Sequence, residues 1–133
     1  MKPALLSALV LGACAQAGAP AICSAPLKPA VAIDLYFGRD KSAGGQVTDA
    51  EWETFLSEVV TQHFPDGLSV FDASGQYRDP SGRIVRERNK RLVVIVFDAP
   101  AHKAKVVDIV EAYKQRFGQH SVFRVEQPVC AGL

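Results

Sequence analysis

The sequence lacks most of the residues and motifs that usually mark an enzyme. Among 133 residues it holds three cysteines, three histidines, one methionine and one tryptophan. His63, His102 and His120 have no ligand spacing and fall in neither an H-x-x-x-H nor an H-E-x-x-H pattern, so no metal site is expected. There is no G-x-G-x-x-G, no G-x-x-x-x-G-K and no G-x-S-x-G. These absences remove the dinucleotide cradle, the phosphate loop and the nucleophile elbow, and no cofactor is expected. Charge of one sign is lacking as well. The 15 basic and 14 acidic residues leave a formal charge of +1, too little to steer nucleic acid or an acidic substrate. The one long apolar run, at the N-terminus, is too short to span a membrane.

What is present fits one globular domain. The length falls in the usual single-domain range, and 48% hydrophobic with 22% charged residues is an ordinary globular balance. The N-terminus reads as an address. Lys2 is followed by the apolar stretch Ala4 to Ala13 and then by small residues, the pattern of a secretory leader over residues 1–17. Leu11-Gly12-Ala13-Cys14 resembles a bacterial lipobox, in which Cys14 would carry a lipid and hold the domain to a membrane. Cleavage at Ala15-Gln16-Ala17 is the competing route. Either way Cys23 and Cys130 remain as an even pair flanking the patterned region, and a disulfide is expected between them. Losing Lys2 with the leader leaves 14 basic against 14 acidic residues, a mature charge of zero. The Ala/Pro-rich stretch over residues 18–30 reads as a tether, ahead of a single domain over residues 31–130.

Within that domain the periodicities alternate. Val31, Ile33, Leu35 and Phe37 share one face of a strand. Thr48-Asp49-Ala50-Glu51 is a capping box, Val47 and Trp52 form its hydrophobic staple, and Trp52, Phe55, Leu56, Val59, Val60 and Phe64 continue at helical spacing to Pro65-Asp66-Gly67. A strand from Leu68 to Arg78, with a bulge or kink expected at Ala73-Ser74-Gly75, turns through Asp79-Pro80-Ser81-Gly82 into a return strand from Arg83 to Phe97. Leu92 to Phe97 is apolar at every position, which predicts a central strand buried on both faces. A second helix is expected from Ala101 to Phe117, with Asp98 as its cap, Pro100 in its first turn and Gly118 as its stop. Val122 to Glu126 alternates as a last strand. The order strand-helix-strand-strand-helix-strand is the ferredoxin-like βαββαβ arrangement of an α+β domain. It implies a four-stranded antiparallel sheet in order 4-1-3-2 with both helices on one face.

Such a sheet leaves its second face open. Either a second copy of the chain covers it, as a homodimer enclosing a pocket, or the tether or an extended loop does. Tyr36 and Asp34 alternate with the core residues of the first strand and point to that side, and with Arg39 they are the candidate pocket residues. Glu87 and Lys90 stand as further polar groups beside an apolar run. Arg83, Arg86, Arg88, Lys90 and Arg91 place five cations in nine residues, a candidate patch for an anionic envelope component or protein partner. The same run also reads as a solvated hairpin whose charges discourage edge pairing. With little aromatic interleaving, no nucleic acid is expected to bind there.

Several blocks in fixed order carry a family resemblance: Leu35 to Arg39, Val47 to Trp52, Phe64 to Leu68, Gly75 to Asp79 and Tyr113 to Gln119. Together they resemble domain-of-unknown-function family 3574, small exported bacterial proteins that carry a leader or lipobox and a cysteine at each end of the domain. Tyr77 stands where that family commonly shows Trp, and His120 where it shows an acidic residue. The resemblance implies export and a shared fold, and it brings no catalytic residues. The functional expectation is a non-enzymatic binding module, periplasmic or held to the outer membrane through Cys14. The alternative is a small cofactor-free monooxygenase or isomerase of the dimeric α+β barrel kind.

Overall fold

The computed structural model describes residues 22–133. The leader, Cys14 and the start of the tether lie outside the described residues. β1 (Lys28–Gly38) is followed by a helix that opens as Asp49–Phe55, runs through a π-helical segment, Leu56–Val60, and ends with Thr61–His63. Then come β2 (Ser69–Arg78), β3 (Ile84–Val96), a second helix (His102–Phe117) and β4 (Phe123–Ala131). The sheet order is β2-β3-β1-β4 with every neighbour antiparallel, which is the expected ferredoxin-like order read from the other edge.

Local chemistry accounts for the element boundaries. Thr48 Oγ1 accepts from the Glu51 N–H at 3.1 Å, and Glu51 Oε2 accepts from the Thr48 N–H at 2.8 Å, so the capping box is closed in both directions. Further along, the Thr61 N–H reaches the Leu56 carbonyl five residues back. That wider turn carries the buried positions from Phe55 to Val60 and on to Phe64. In the hairpin, Asp79 Oδ1 accepts from the N–H groups of Ser81 and Arg83 at 2.9 and 3.0 Å, and Gly82 supplies the positive φ of 87° that closes the turn. Gly118, at φ 64°, ends the second helix.

The core lies between one sheet face and the helices. Ile33, Leu35 and Phe37 of β1 and Leu92, Val94 and Val96 of β3 meet Trp52, Phe55, Val106, Ile109, Tyr113 and Phe117. Five of these are aromatic, and Tyr113 packs on Phe37 and Phe55 edge-on, at centroid distances of 4.7 and 5.1 Å. Its hydroxyl donates to the Gly38 carbonyl at 2.9 Å, joining the second helix to the end of β1. At the other end, Cys23 and Cys130 form a disulfide with Cα atoms 5.6 Å apart.

The structure differs from the sequence reading in several places. β1 begins at Lys28, inside the stretch read as tether, because Lys28 to Ala30 pair with Val129 to Ala131. The ladder of β2 is unbroken through Ala73, Ser74 and Gly75, which oppose Asn89, Arg88 and Glu87 one for one, so there is no bulge. β3 is not buried on both faces: Ile95 is 41% exposed, because no described element covers that side of the sheet. β4 continues to Ala131 past Pro128, which an edge strand tolerates through its outward side. The second helix starts at His102 without a side-chain cap, and Asp98 instead holds Lys105 at 2.8 Å.

Candidate functional site

The open sheet face collects alternate residues from all four strands. Register places Phe71, Ala73, Gly75 and Tyr77 of β2 beside Arg91, Asn89, Glu87 and Val85 of β3. It likewise places Asp34 and Tyr36 of β1 beside Val125 and Phe123 of β4. At the centre, Arg91 donates to Asp34 at 2.5 Å and lies 5.8 Å from the ring centroids of both Tyr36 and Phe71. The two charges satisfy each other, and Asp34 is buried although no described element lies above it.

At the end of this face, where β1 finishes and β4 begins, the surface drops into a cavity of about 810 Å³. Its floor is the open face itself: Tyr36 and Gly38 of β1, Gly75 and Tyr77 of β2, Glu87 and Asn89 of β3, and Phe123 of β4. Asp40, Gln76 and the loop Gln119-His120-Ser121 form the sides. Tyr36, Tyr77, Phe123, His120, the acidic residues Asp40 and Glu87 and several amides therefore line one space, and no lysine or arginine does; one Asp40 carboxylate oxygen accepts from the Gln46 side chain at 2.9 Å. The rings of Tyr36 and Phe123 are 5.8 Å apart. The Gln119 side chain donates to the Asp40 carbonyl at 2.6 Å, which pins the loop after the second helix to the loop after β1. Two glycines keep the floor low. A β-carbon at Gly38 would sit 3.6 Å from Gln119 Oε1, and one at Gly75 would sit 3.4 Å from Asn89 Nδ2.

A second depression, about 660 Å³, lies at the other end of the sheet against Phe64, Val94, Val96 and Phe97. Its one ammonium group, on Lys105, is held by Asp98 and lies 5.7 Å from the Phe64 ring. The first cavity gathers more hydrogen-bonding groups free of such pairing, and it is the candidate site.

The residues singled out from sequence are divided by the sheet. Tyr36 lines the cavity. Asp34 shares its face but is bound to Arg91. Arg39 turns to the helix side, where it donates to the Val47 carbonyl at 2.6 and 2.8 Å and pairs with Asp49 at 3.0 Å. Glu87 lines the cavity and Lys90 does not. The five cations do not form one patch. Arg83 is paired with Asp79 at the turn, Lys90 is buried on the helix side, and Arg91 lies on the opposite face, while Arg86 and Arg88 are exposed. Lys90 binds Asp72 at 2.7 Å and Asp49 at 3.1 Å, and the Asp72 hydrogen bond above all raises its pKa. The hydrogen bond from Lys90, with the charges of Arg39 and Lys90, lowers that of Asp49.

His102 forms a separate polar cluster. It is buried, its Nε2 is 3.4 Å from Glu126, and its Nδ1 has no hydrogen-bond partner among the described residues. Burial pushes the Glu126 carboxyl up, but hydrogen bonds from Arg124 and His102 bring it below the usual range. This cluster lines neither cavity. Among the described residues no group of three His, Cys, Asp or Glu side chains is placed to hold a metal, and no helix is long and apolar enough to cross a membrane.

Residues 32–133 match the family described as "Protein of unknown function (DUF3574)". The chain belongs to this family. No curated protein matches this family member. Solved structures do. A phage SAM lyase in complex with S-methyl-5′-thioadenosine superposes with a TM-score of 0.56 at 15% identity, covering 77% of this chain and 90% of that one. A phage SAM lyase in the apo state gives the same TM-score at 14% identity, covering 77% of this chain and 84% of that one. At such identities the likeness is one of fold.

It nevertheless corrects the functional expectation. The preference for a non-enzymatic binding module rested on missing nucleophiles, metal ligands and cofactor loops, yet the solved neighbours sharing this fold are enzymes. They are lyases, not the monooxygenases or isomerases of the alternative. The cavity itself was not visible in the sequence. Its walls come from all four strands and two loops; of its two acidic residues Glu87 stands out in the sequence, while Asp40 is masked between Arg39 and Lys41.

Proposed function

We propose that this chain is a small-molecule enzyme whose substrate is a cation bearing an aromatic or heteroaromatic ring, with sulfonium nucleosides as the class to test. The lining of the cavity carries this reading: the rings of Tyr36, Tyr77 and Phe123 with the acidic residues Asp40 and Glu87, and no lysine or arginine beside the single histidine, His120. Aromatic faces and carboxylates attract a desolvated cation, and the same lining would repel phosphates. The amides of Asn89 and Gln119 supply donors and acceptors for a ring edge. A sulfonium also needs little from a protein. When its carbon–sulfur bond breaks, the electron pair stays on sulfur and a neutral thioether leaves, while a carboxylate oxygen of the substrate itself forms the new bond to that carbon and closes a lactone, so no nucleophilic cysteine or serine is required. The fold shared with SAM lyase supports the same class.

The test is titration calorimetry with S-adenosylmethionine and S-methyl-5′-thioadenosine, with chromatography of the reaction mixture for released thioether. The wild type should bind both. Glu87→Gln and Asp40→Asn should weaken the cation at least tenfold and the neutral thioether much less. Absence of binding at 1 mM (about −4 kcal/mol) refutes the reading. We further propose that the chain works outside the cytoplasm, in the periplasm or held to the outer membrane by a lipid on Cys14. The disulfide between Cys23 and Cys130 supports this, and the denatured mass of protein made in a bacterial host tests it.

A further inference from the structure

The open sheet face is more apolar than a free surface needs to be. Phe71, Tyr77, Ile95, Phe123 and Val125 all lie on it, with Phe123 67% exposed and Phe71 50% exposed. Patches of this kind mark interaction sites. Its central charges, Asp34 and Arg91, neutralise each other at 2.5 Å, so the face presents no net field at its centre and an identical face would not repel it. Four strands about 4.8 Å apart and about ten residues long make a face of roughly 600 Å². Two such faces cover roughly 1,200 Å² with the roofed cavities included, which puts the contact at the lower end of the range for specific complexes. An isologous contact needs a self-complementary patch, and a neutral apolar sheet face is one.

We infer that a second copy of this chain packs on the open face and forms the missing outer wall of the cavity. Seven lining positions, among them Tyr36, Tyr77, Glu87 and Phe123, belong to that same face. A sheet laid over Ile95 and Val125 therefore continues over the cavity mouth. The site proposed above would then be enclosed only in the dimer. The inference rests on that reading for the meaning of the cavity, not for the contact.

The test needs no ligand. Protein expressed from its full sequence is examined by sedimentation equilibrium from 1 to 200 µM, beside Ile95→Glu and Val125→Glu. Both positions lie on the face and outside this cavity. Tyrosine nitration followed by mass spectrometry then reports enclosure. The chain has three tyrosines, of which Tyr36 and Tyr77 line the cavity while Tyr113 is buried in the core. The expected result is a dimeric wild type with Tyr36 and Tyr77 protected at least tenfold relative to the variants. The variants should be monomeric, with Tyr113 unmodified throughout as proof of folding. A monomeric wild type at 200 µM overturns the inference, as does a dimer whose Tyr36 and Tyr77 react as fast as in the variants. So does a full-length monomer whose shorter form, beginning at Ile22, dimerises, since the N-terminal segment would then be the cover. Ligand binding by a monomeric protein would leave the proposed function standing without this interface, and a protected dimer that binds no sulfonium would do the reverse.

Discussion

Reducing the disulfide is the perturbation with the largest expected effect. Cys23 and Cys130 are 107 residues apart, so their bond closes almost the whole described chain into one loop. Chain-entropy reasoning assigns a loop of that length about 5 kcal/mol of stabilisation, exerted on the unfolded chain. Small domains have total stabilities of about 5–15 kcal/mol, so the bridge is a large share of what holds this one folded. With a urea slope of about 1.5 kcal/mol per molar, the unfolding midpoint should fall by about 3 M on reduction. The assay is equilibrium urea unfolding followed by the emission of Trp52, the single tryptophan, which is buried in the core. Oxidised protein, reduced protein and the Cys23→Ser/Cys130→Ser double variant should be compared, the last two agreeing with each other. A shift under about 0.5 M in both would refute the reasoning, because the bond would then restrict the unfolded chain far less than a loop of this length should.

Three further predictions concern the anchors of the site's surroundings. Thr48→Ala should cost about 1 kcal/mol by losing the cap on the Glu51 N–H, measured as a lower urea midpoint. The Lys41 hydrogen bond, and then the Thr48 N–H, lower the Glu51 pKa to about 2. A depressed carboxylate contributes stability that is fully present above its unfolded value and is lost as pH falls through the folded one. Glu51→Gln should therefore flatten the acid limb of stability between about pH 4.5 and pH 2, and an unchanged acid limb would contradict the capping geometry. Tyr113→Phe removes the hydrogen bond to the Gly38 carbonyl and should cost about 1 kcal/mol. Because Gly38 also lines the cavity, this substitution should weaken sulfonium binding without touching a lining side chain.

The elements legible in the sequence are those whose signals are local. The capping box and staple around Thr48, the turn at Asp79 and the stop at Gly118 each depend on a few adjacent residues, and each stands where the pattern puts it. The topology followed from element order and from the apolar run of Leu92 to Val96. Position along the edges was harder to read. Gln127-Pro128 breaks the alternation of β4, yet pairing with Ala32 and Val31 carries the strand on. Ala73-Ser74-Gly75 looks like a break, but the partners of these small residues keep them in register. The face of each cation was also hidden. Lys90 and Arg91 are neighbours in the chain, and the pleat sends them to opposite sides of the sheet, one to Asp72 and Asp49 and the other to Asp34. Periodicity could have shown that separation. The cavity could not have been found in this way, since it depends on how far the β2–β3 hairpin and the Gln119–Ser121 loop stand apart in space.

The position of the disulfide also gives the molecule a polarity. Cys23, the start of β1 and the end of β4 meet at one corner, where Lys28 pairs with Ala131. The cavity opens at the far ends of the same strands, beside Gly38 and Phe123. Nine residues of β1 separate the two, about 30 Å along the strand. Any anchor joined upstream of Ile22 would thus be stapled to the base of the domain, with the cavity mouth held at the opposite pole. Binding could then proceed without crowding from whatever the base is fixed to, and fusions or surface attachment at the N-terminus should leave the cavity free.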